Sequence, residues 1–359
     1  MTTIIYPYRN RELSRIKKSL DSLKSQNDVE FKVLFVDYGS DIQFAKEVKE
    51  LVSSYSFTQY HYSYNLNQPW SRSKAINIGL RLVQTNYVFI ADIDIIFRND
   101  FSQVLKRLAN PQKTYYFKVG FLTEKETAHE KDFSAYEISF SSEIGAQGLS
   151  LFPTKAINEI QGFDEFLHFW GAEDIDIHNR LMKIGIESVF YNNEILLLHQ
   201  WHQSYRKSET NILSTELQLK NVVNLNHQHL INNQINEVIK VNKENWGNTI
   251  SESEFNALEN FNEEIIIFNK VEAITHFLFV ELPNFQGEIL SVRFVEDSFQ
   301  NSLKYKFKKL AGKKVPQYYS LKEINDMLLL HIIAFYNQLP YNFSVSDDLK
   351  SILFKIKKG

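Results

Sequence analysis

The first half of the chain alternates short apolar runs with segments whose apolar residues recur every three or four positions. The runs predict buried strands, and the intervening spacing, as in Leu13, Ile16, Leu20 and Leu23, predicts amphipathic helices. Such an alternation predicts an α/β fold with a doubly wound, mostly parallel sheet and right-handed crossovers. The predicted strands cover residues 2–6, 31–36, 58–64, 87–91 and 115–121.

Polar or turn-forming residues follow three of these strands. Pro7, Asp37 and Asp92 lie where strands end, and ligands of doubly wound sheets bind beyond those ends. Asp37 suits a hydrogen bond from a nucleotide base, or else only shapes a turn. Asp92 and Asp94 fall on one face of an extended segment, and buried carboxylates need a counter-charge. The pair indicates a divalent cation with nucleotide phosphates, or alternatively two solvated aspartates.

Basic and aromatic side chains lie next to two of these strand ends. Arg9 and Arg11 follow the first strand. Their guanidinium groups could bind diphosphate oxygens or a base edge, or they could only cap the turn between strand and helix in contact with solvent. Arg72 and Lys74 fall in a predicted first helical turn, where backbone N–H groups and cations favour an anion. Trp70 is suited to stack on a base, and it is equally typical of a core.

A second group of candidate residues lies between positions 162 and 202. A helix predicted to begin near Glu173 has three acids in its first turn, which either complement the helix dipole or belong to a site. His199 and His202 follow a strand predicted at 195–198, and imidazoles at this spacing suit one metal ion if the strand turns there. A single histidine is more often structural, but the pair, together with Asp92 and Asp94, indicates metal ligands.

The last third of the chain is less informative. We predict strands at 265–268, 276–281 and 288–295 and a helix at 321–337, and we expect the charged stretch 124–143 to be a mobile loop. Residues 302–309 alternate apolar side chains with lysine, which predicts either a lysine-guarded edge strand or a basic patch for an anionic membrane. We therefore expect a catalytic domain at 1–205, a helical connector at 206–262 and a small α+β domain at 263–359.

Composition limits the classes of function. The 359 residues include 43% hydrophobic residues and carry a net charge of −3, which gives no general attraction for nucleic acid. Cysteine is absent, so disulfides and thiolate metal sites are excluded. No secretory leader or membrane-spanning apolar run is visible, and we expect a cytoplasmic protein, either free or peripheral at the inner membrane face.

Four segments carry a resemblance to a known family. Residues 6–11 (YPYRNR), 70–79 (WSRSKAINIG) and 91–94 (ADID) resemble the nucleotide-sugar half of GT-A glycosyltransferases, most closely the branch of β-1,4-galactosyltransferases and bacterial chondroitin polymerases. Residues 170–174 (WGAED) resemble the family's Trp-Gly-Gly-Glu-Asp segment, with Ala172 in place of the second glycine. The resemblance covers residues 2–205 and implies a GT-A fold with a smaller C-terminal appendage.

The resemblance also implies roles for individual residues. It implies that Asp94, His199 and His202 bind the metal ion, expected to be Mn²⁺ with Mg²⁺ as the alternative, and that Asp174 is the catalytic base. Trp170 would belong to a loop that closes over the donor, and Glu173 would contact the acceptor. The other residues implied in donor binding are Pro7, Arg9, Arg11, Asp37, Trp70, Arg72, Lys74 and Asp92.

The sequence therefore predicts an inverting, metal-dependent enzyme that moves a hexose or N-acetylhexosamine from a UDP-sugar to a glycan or lipid-linked saccharide, as in bacterial surface polysaccharide synthesis. The small pair Gly145–Ala146, at a position where galactose-specific relatives carry a bulky residue, favours the N-acetylhexosamine. The alternatives are an inactive sugar- or nucleotide-binding protein on the same fold and a nucleotidyltransferase that makes nucleotide sugars. The latter would require a glycine-rich phosphate loop, which the sequence lacks. Oligomerisation stays open.

Overall fold

The computed structural model describes residues 1–28, 30–203 and 212–358. The chain forms two compact units. The first takes its described residues from Met1–Asn65, Trp70–Lys207 and Val223–Thr249, and the second from Leu66–Pro69, Ser208–Val222 and Ile250–Gly359. Part of the stretch predicted as a connector thus belongs to the first unit. There Trp246 is buried, and the Asn226 side-chain amide donates to the His168 carbonyl over 2.9 Å.

A seven-stranded mixed sheet forms the centre of the first unit and confirms the predicted α/β class. Its order is β10-β6-β9-β4-β1-β2-β3, and all neighbours are parallel except those of β9, which runs against β4 and β6. The strands are β1 (Thr2–Tyr8), β2 (Phe31–Asp37), β3 (Thr58–Tyr62), β4 (Tyr87–Ile90), β6 (Lys113–Phe117), β9 (Ser150–Pro153) and β10 (Glu187–Tyr191).

Apolar helices and side chains cover both faces of this sheet. All seven residues of β1 are buried, as expected for a central strand with helices on either side. On one face Phe89 packs against Phe101 and Phe117 with ring centroids 5.0 and 5.6 Å away. The helices of this unit are α1 (Leu13–Lys24), α2 (Ile42–Ser53), α3 (Arg72–Leu82), α4 (Phe101–Leu108), α5 (Glu124–Thr127), α6 (Thr154–Glu159), α7 (Glu173–Lys183) and α8 (Val222–Ile235).

A smaller sheet beside the first brings distant parts of the chain together. Its order is β5-β11-β7-β8, formed by β5 (Ile95–Phe97), β7 (Val119–Leu122), β8 (Ile138–Ser141) and β11 (Leu197–His199). The antiparallel pairing of β5 with β11 places His199 opposite Ile95, one residue after Asp94. Backbone pairing thus joins segments that lie a hundred positions apart in the sequence.

Four local predictions were wrong. Residues 115–121 form parts of two strands, β6 and β7, and the predicted mobile loop 124–143 contains both α5 and β8. Residues 276–281 form helix rather than strand, because the short apolar run at 277–280 has no periodicity that distinguishes the two. Residues 302–309 also lie in a helix, since Ser302 caps it by accepting from the Tyr305 backbone N–H over 3.1 Å.

The second unit has its own four-stranded sheet of order β12-β13-β15-β14, in which only β12 and β13 are parallel. The strands are β12 (Ile265–Phe268), β13 (Ile289–Val295), β14 (Tyr341–Val345) and β15 (Ser351–Lys357). The helices are α9 (Glu252–Glu259), α10 (Val271–His276), α11 (Leu282–Asn284), α12 (Leu303–Leu310) and α13 (Leu321–Phe335), with a π-helical turn at Phe277–Glu281. Over the described part of the chain, every helix is too short or too polar to span a bilayer.

Candidate active site

Asp94, His199 and His202 converge on one point, as the sequence predicts. Nε2 of His202 lies 3.3 Å from Oδ2 of Asp94, and Nε2 of His199 lies 3.7 Å from Oδ1. One potential ligand atom from each residue falls within 4.8 Å of the others. Asp94 is only 7% exposed, and its Oδ1 is buried without a hydrogen-bond partner. A buried carboxylate oxygen facing two imidazoles fits a divalent cation.

Backbone hydrogen bonds hold this cluster together. The Gln200 N–H donates to the Asp94 carbonyl over 2.9 Å, which extends the β5–β11 pairing past His199. The next residue, Trp201, is fixed on both sides: its N–H donates to Thr127 Oγ1 over 2.7 Å, and its carbonyl accepts from Arg15 over 2.6 Å. These contacts direct the chain so that the His202 ring returns toward Asp94, with ring centroids of the two histidines 5.1 Å apart.

Arg72 connects the other predicted acids. Its guanidinium donates to Oδ1 of Asp92 through Nε at 3.0 Å and approaches the same oxygen through Nη2 at 2.9 Å. Nη2 also donates to the Gly148 carbonyl over 3.0 Å, and Nη1 lies 3.8 Å from Oε1 of Glu173. Burial alone would lower the pKa of Arg72, but the neighbouring acids raise it, so the guanidinium stays charged.

Glu173 and Asp174 begin α7 beside Arg72. Burial, together with the negative charge of Asp174, raises the pKa of Glu173 to about 7. Oδ1 of Asp174 accepts from the Ile175 N–H over 2.9 Å. A methyl group added at Gly148 would lie 3.9 Å from Oδ2 of Asp174 and 4.0 Å from Nη2 of Arg72, so Gly148 separates these two groups without filling the space.

The segment before α7 has an unusual backbone. Phe169, Gly171 and Ala172 all have positive φ angles, of 63°, 94° and 77°. Trp170, between them, is 38% exposed and lines a small recess together with Arg72 and Glu173. A non-glycine residue pays roughly 1–2 kcal/mol for the left-handed region, so the surrounding packing must hold Ala172 there.

The remaining predicted donor-binding residues form internal contacts in the structure. Asp37 is fully buried and accepts from the Ser40 N–H and the Tyr60 hydroxyl, both at 2.7 Å, and burial raises its pKa. Lys74 is 1% exposed near Glu165, and burial lowers its pKa. Arg9 donates to the carbonyls of Tyr38 and Asn65, both over 2.6 Å. Other predicted residues lie as follows: Trp70 is half-buried against Tyr38, Pro7 is buried within β1, and Arg11 is exposed.

Sequence reasoning missed an aromatic surface beside the metal-ligand cluster. Phe140 on the edge strand β8 is 59% exposed and stacks on Phe121, with centroids 4.6 Å apart and planes at 4°. The Phe121 ring in turn lies 4.9 Å from the His199 ring. The sequence predicts a loop over this stretch, and only the alternation of residues 138–141 indicates a strand there.

Comparison with known proteins agrees with this architecture. Residues 3–150 match the model for glycosyl transferase family 2, and residues 126–203 match the model described as the N-terminal domain of galactosyltransferase. Human chondroitin sulfate N-acetylgalactosaminyltransferase 2 is 27% identical over 176 residues, 44% of this chain and 31% of that protein. The mouse protein of that name is 24% identical over 246 residues, 62% and 44% of the two chains. The chain thus spans less than half the length of these relatives.

Among solved structures, residues 1–349 of S. aureus TarS in complex with UDP match with a TM-score of 0.46 at 13% identity, covering 96% of this chain and 94% of that one. The two family matches overlap at residues 126–150, which include the edge strand β8, and together they cover residues 3–203. They span Asp92, Asp94, Asp174 and both candidate histidine ligands. Residues 3–203 therefore carry glycosyltransferase domains, a family 2 domain followed by a galactosyltransferase domain.

Proposed function

We propose that the chain transfers a hexose or N-acetylhexosamine from a UDP-sugar to a hydroxyl group of a saccharide acceptor, with inversion at C1. The observation that carries this proposal is the cluster of Asp94, His199 and His202. Asp94 lies two positions after Asp92, which pairs with Arg72. The family matches and the names of the mammalian relatives support the donor class. A growing bacterial surface polysaccharide is the acceptor that we propose.

Asp94, His199 and His202 would hold the metal ion, which we propose to be Mn²⁺. Two imidazoles and one carboxylate suit a first-row divalent ion better than Ca²⁺ or Mg²⁺, which prefer oxygen ligands. When bound, the ion would supply positive charge against the diphosphate leaving group. Asp92, with 38% of its side chain exposed, stays available for the donor ribose while Arg72 fixes its orientation.

Asp174 would act as the general base. The acceptor oxygen forms a bond to C1 of the sugar as the bond from C1 to the diphosphate oxygen breaks, and the acceptor proton moves to the Asp174 carboxylate. Oδ1 is held by the Ile175 N–H, and Oδ2 faces the open space at Gly148. Glu173, with a pKa near 7, would exchange hydrogen bonds with an acceptor hydroxyl as donor or acceptor.

Phe140 would bind a sugar ring of the acceptor. An exposed aromatic face stacks on the C–H groups of a pyranose, and Phe121 supports this face from below. Phe121 also contacts the His199 ring, so the exposed face of Phe140 lies next to the metal-ligand cluster. Gly145 lies four positions after β8, and a side chain added there would meet no atom within 4 Å. This open space, together with the relatives' names, favours an N-acetylhexosamine as the donated sugar.

A donor screen tests the proposal. The purified chain is incubated with Mn²⁺ and each of several UDP-sugars, with and without oligosaccharide acceptors, and the release of UDP and the acceptor mass are followed. We expect one preferred UDP-N-acetylhexosamine and an acceptor product that is one sugar heavier. Nucleotide-sugar synthesis from a sugar phosphate, or nucleotide binding without turnover of any donor, would contradict the proposal.

A further inference from the structure

Helix α12 (Leu303–Leu310) turns its apolar side toward solvent. Leu303, Phe307 and Leu310 recur at spacings of four and three, so they form one stripe along the helix, and they are 72%, 68% and 87% exposed. Amphipathic surface helices normally bury such a stripe, as α1 does with Ile16, Leu20 and Leu23. The apolar stripe of α12 therefore has no partner within the described part of this unit.

The outward orientation is fixed by contacts on the opposite side of the helix. Tyr305 lies about 140–160° around the helix axis from the three residues of the stripe. Its ring packs 5.7 Å from Phe299 and 5.6 Å from Tyr318, and its hydroxyl donates to the Pro316 carbonyl over 3.3 Å. Gly312, with φ of 66°, ends the helix. The exposed stripe thus results from packing.

The charged residues of α12 and of the turn that follows it are all positive. Residues 303–314 contain six lysines and no acid: Lys304, Lys306, Lys308, Lys309, Lys313 and Lys314. Lys304 and Lys306 flank the stripe on its two sides, at about 100° and 300° from Leu303. Within the chain as the structure describes it, none of the six lies within 4.0 Å of a carboxylate. The helix thus combines an exposed apolar stripe with unneutralised positive charge.

Two kinds of surface could cover such a helix. A second copy of the chain that docked the same stripe about a two-fold axis would bring the lysines of both copies together, and their repulsion opposes that pairing. An anionic lipid surface accepts both features, because the apolar side chains enter the acyl boundary while the lysines meet the headgroups.

We propose that α12 is a membrane-docking element that binds the chain to anionic lipid bilayers, with Leu303, Phe307 and Leu310 inserted at the interface. Docking would hold the chain on the surface where lipid-carried saccharides are displayed. This binding needs neither donor nor metal ion, so it stands or falls separately from the transfer activity.

Co-sedimentation with vesicles tests the proposal. The full chain is mixed with vesicles of phosphatidylglycerol and phosphatidylcholine in equal amounts, or of phosphatidylcholine alone, without nucleotide or metal. We expect binding to the anionic vesicles that weakens as salt rises, since exposed charges are screened. The double variant Lys304→Glu/Lys306→Glu should bind about tenfold or more weakly. Phe307→Ser should also weaken binding, at low salt as well as high.

Matched controls separate these effects from general charge and hydrophobicity. Lys46→Glu/Lys49→Glu makes the same charge change on the exposed side of α2, and Ile235→Ser removes an apolar side chain that is 76% exposed on α8. Both should bind as the wild type does. Equal binding to the two vesicle types, or equal loss in the controls, would overturn the proposal. A concentration-dependent dimer that Phe307→Ser dissociates, without vesicle binding, would instead assign the stripe to a second copy.

Discussion

The substitution Arg72→Gln removes the only guanidinium that the described residues place between Asp92 and Glu173. It deletes the pair of contacts to Asp92 at 2.9 and 3.0 Å and the hydrogen bond to the Gly148 carbonyl. The Asp92 side chain is 38% exposed and can be solvated by water in the variant, so the lost ion pair accounts for only a small part of the destabilisation. We expect a loss of about 2–3 kcal/mol in the free energy of unfolding.

The loss should grow with pH because of Glu173. The pKa of Glu173 is raised from 4.5 to about 7 in the folded chain. The contribution of Glu173 to stability is therefore fully present below the pKa of the unfolded chain, 4.5, and is lost as pH rises through about 7, where the buried carboxyl becomes charged. Arg72, which lies 3.8 Å away, lowers the folded-state pKa, so its removal should raise the pKa of Glu173 further. Each unit adds about 1.4 kcal/mol to the destabilisation above the new pKa.

Urea denaturation of wild type and variant at about pH 5.5 and about pH 9 measures this difference. The control is Arg98→Gln, which also removes a guanidinium from two carboxylates, Asp100 at 2.6 Å and Glu194 at 2.7 Å. Arg98 lowers the pKa of both acids, so they titrate below this range and the loss should be equal at both pH values. If Arg72→Gln also shows a pH-independent loss, the electrostatic account of Glu173 is wrong.

Three further predictions concern single side chains. Asp174→Asn should lower transfer by about 10²–10⁴-fold while the Kd for UDP, measured by calorimetry, changes little, and unchanged turnover would reject Asp174 as the base. Phe140→Ala should raise the acceptor KM by about tenfold without changing the donor KM, whereas Ile144→Ala, at a nearby exposed position, should change neither. Ala172→Gly should raise the free energy of unfolding by up to about 1 kcal/mol, because glycine adopts the observed φ of 77° without strain. The control Ala156→Gly, within α6, should lower the free energy of unfolding. If both variants are destabilised, packing of the Ala172 methyl group outweighs the backbone strain.

Local pattern predicted the central sheet well because its strands are buried on both faces. Residues 2–6, 31–36 and 87–91 are apolar runs, and the observed strands differ from them by one or two residues at their ends. The residues alone indicate that the histidine pair and the two aspartates bind a metal ion, and the family resemblance selects Asp94 as the third ligand. Periodicity alone could not supply the convergence of Asp94 with His199, since it depends on the pairing of β5 with β11.

Prediction was wrong where two structures share one pattern. In α12 the alternation of lysine with apolar residues is typical of an edge strand, but the same residues also place Leu303, Phe307 and Leu310 on one helical face. Burial was likewise hidden from the sequence. The place of Lys74 in a first helical turn predicts that it binds an anion, and this stays a prediction; its burial near Glu165 is visible only in the tertiary packing.

Binding of Mn²⁺ to the full chain, measured by calorimetry or by electron paramagnetic resonance with saturating UDP, tests the central claim most directly. We predict about one ion per chain, with affinity reduced by about a hundredfold or more in Asp94→Asn and in His202→Ala. His229→Ala should bind as the wild type does, because His229 pairs with Asp164 in a separate cluster. Undiminished Mn²⁺ binding in Asp94→Asn would contradict the account.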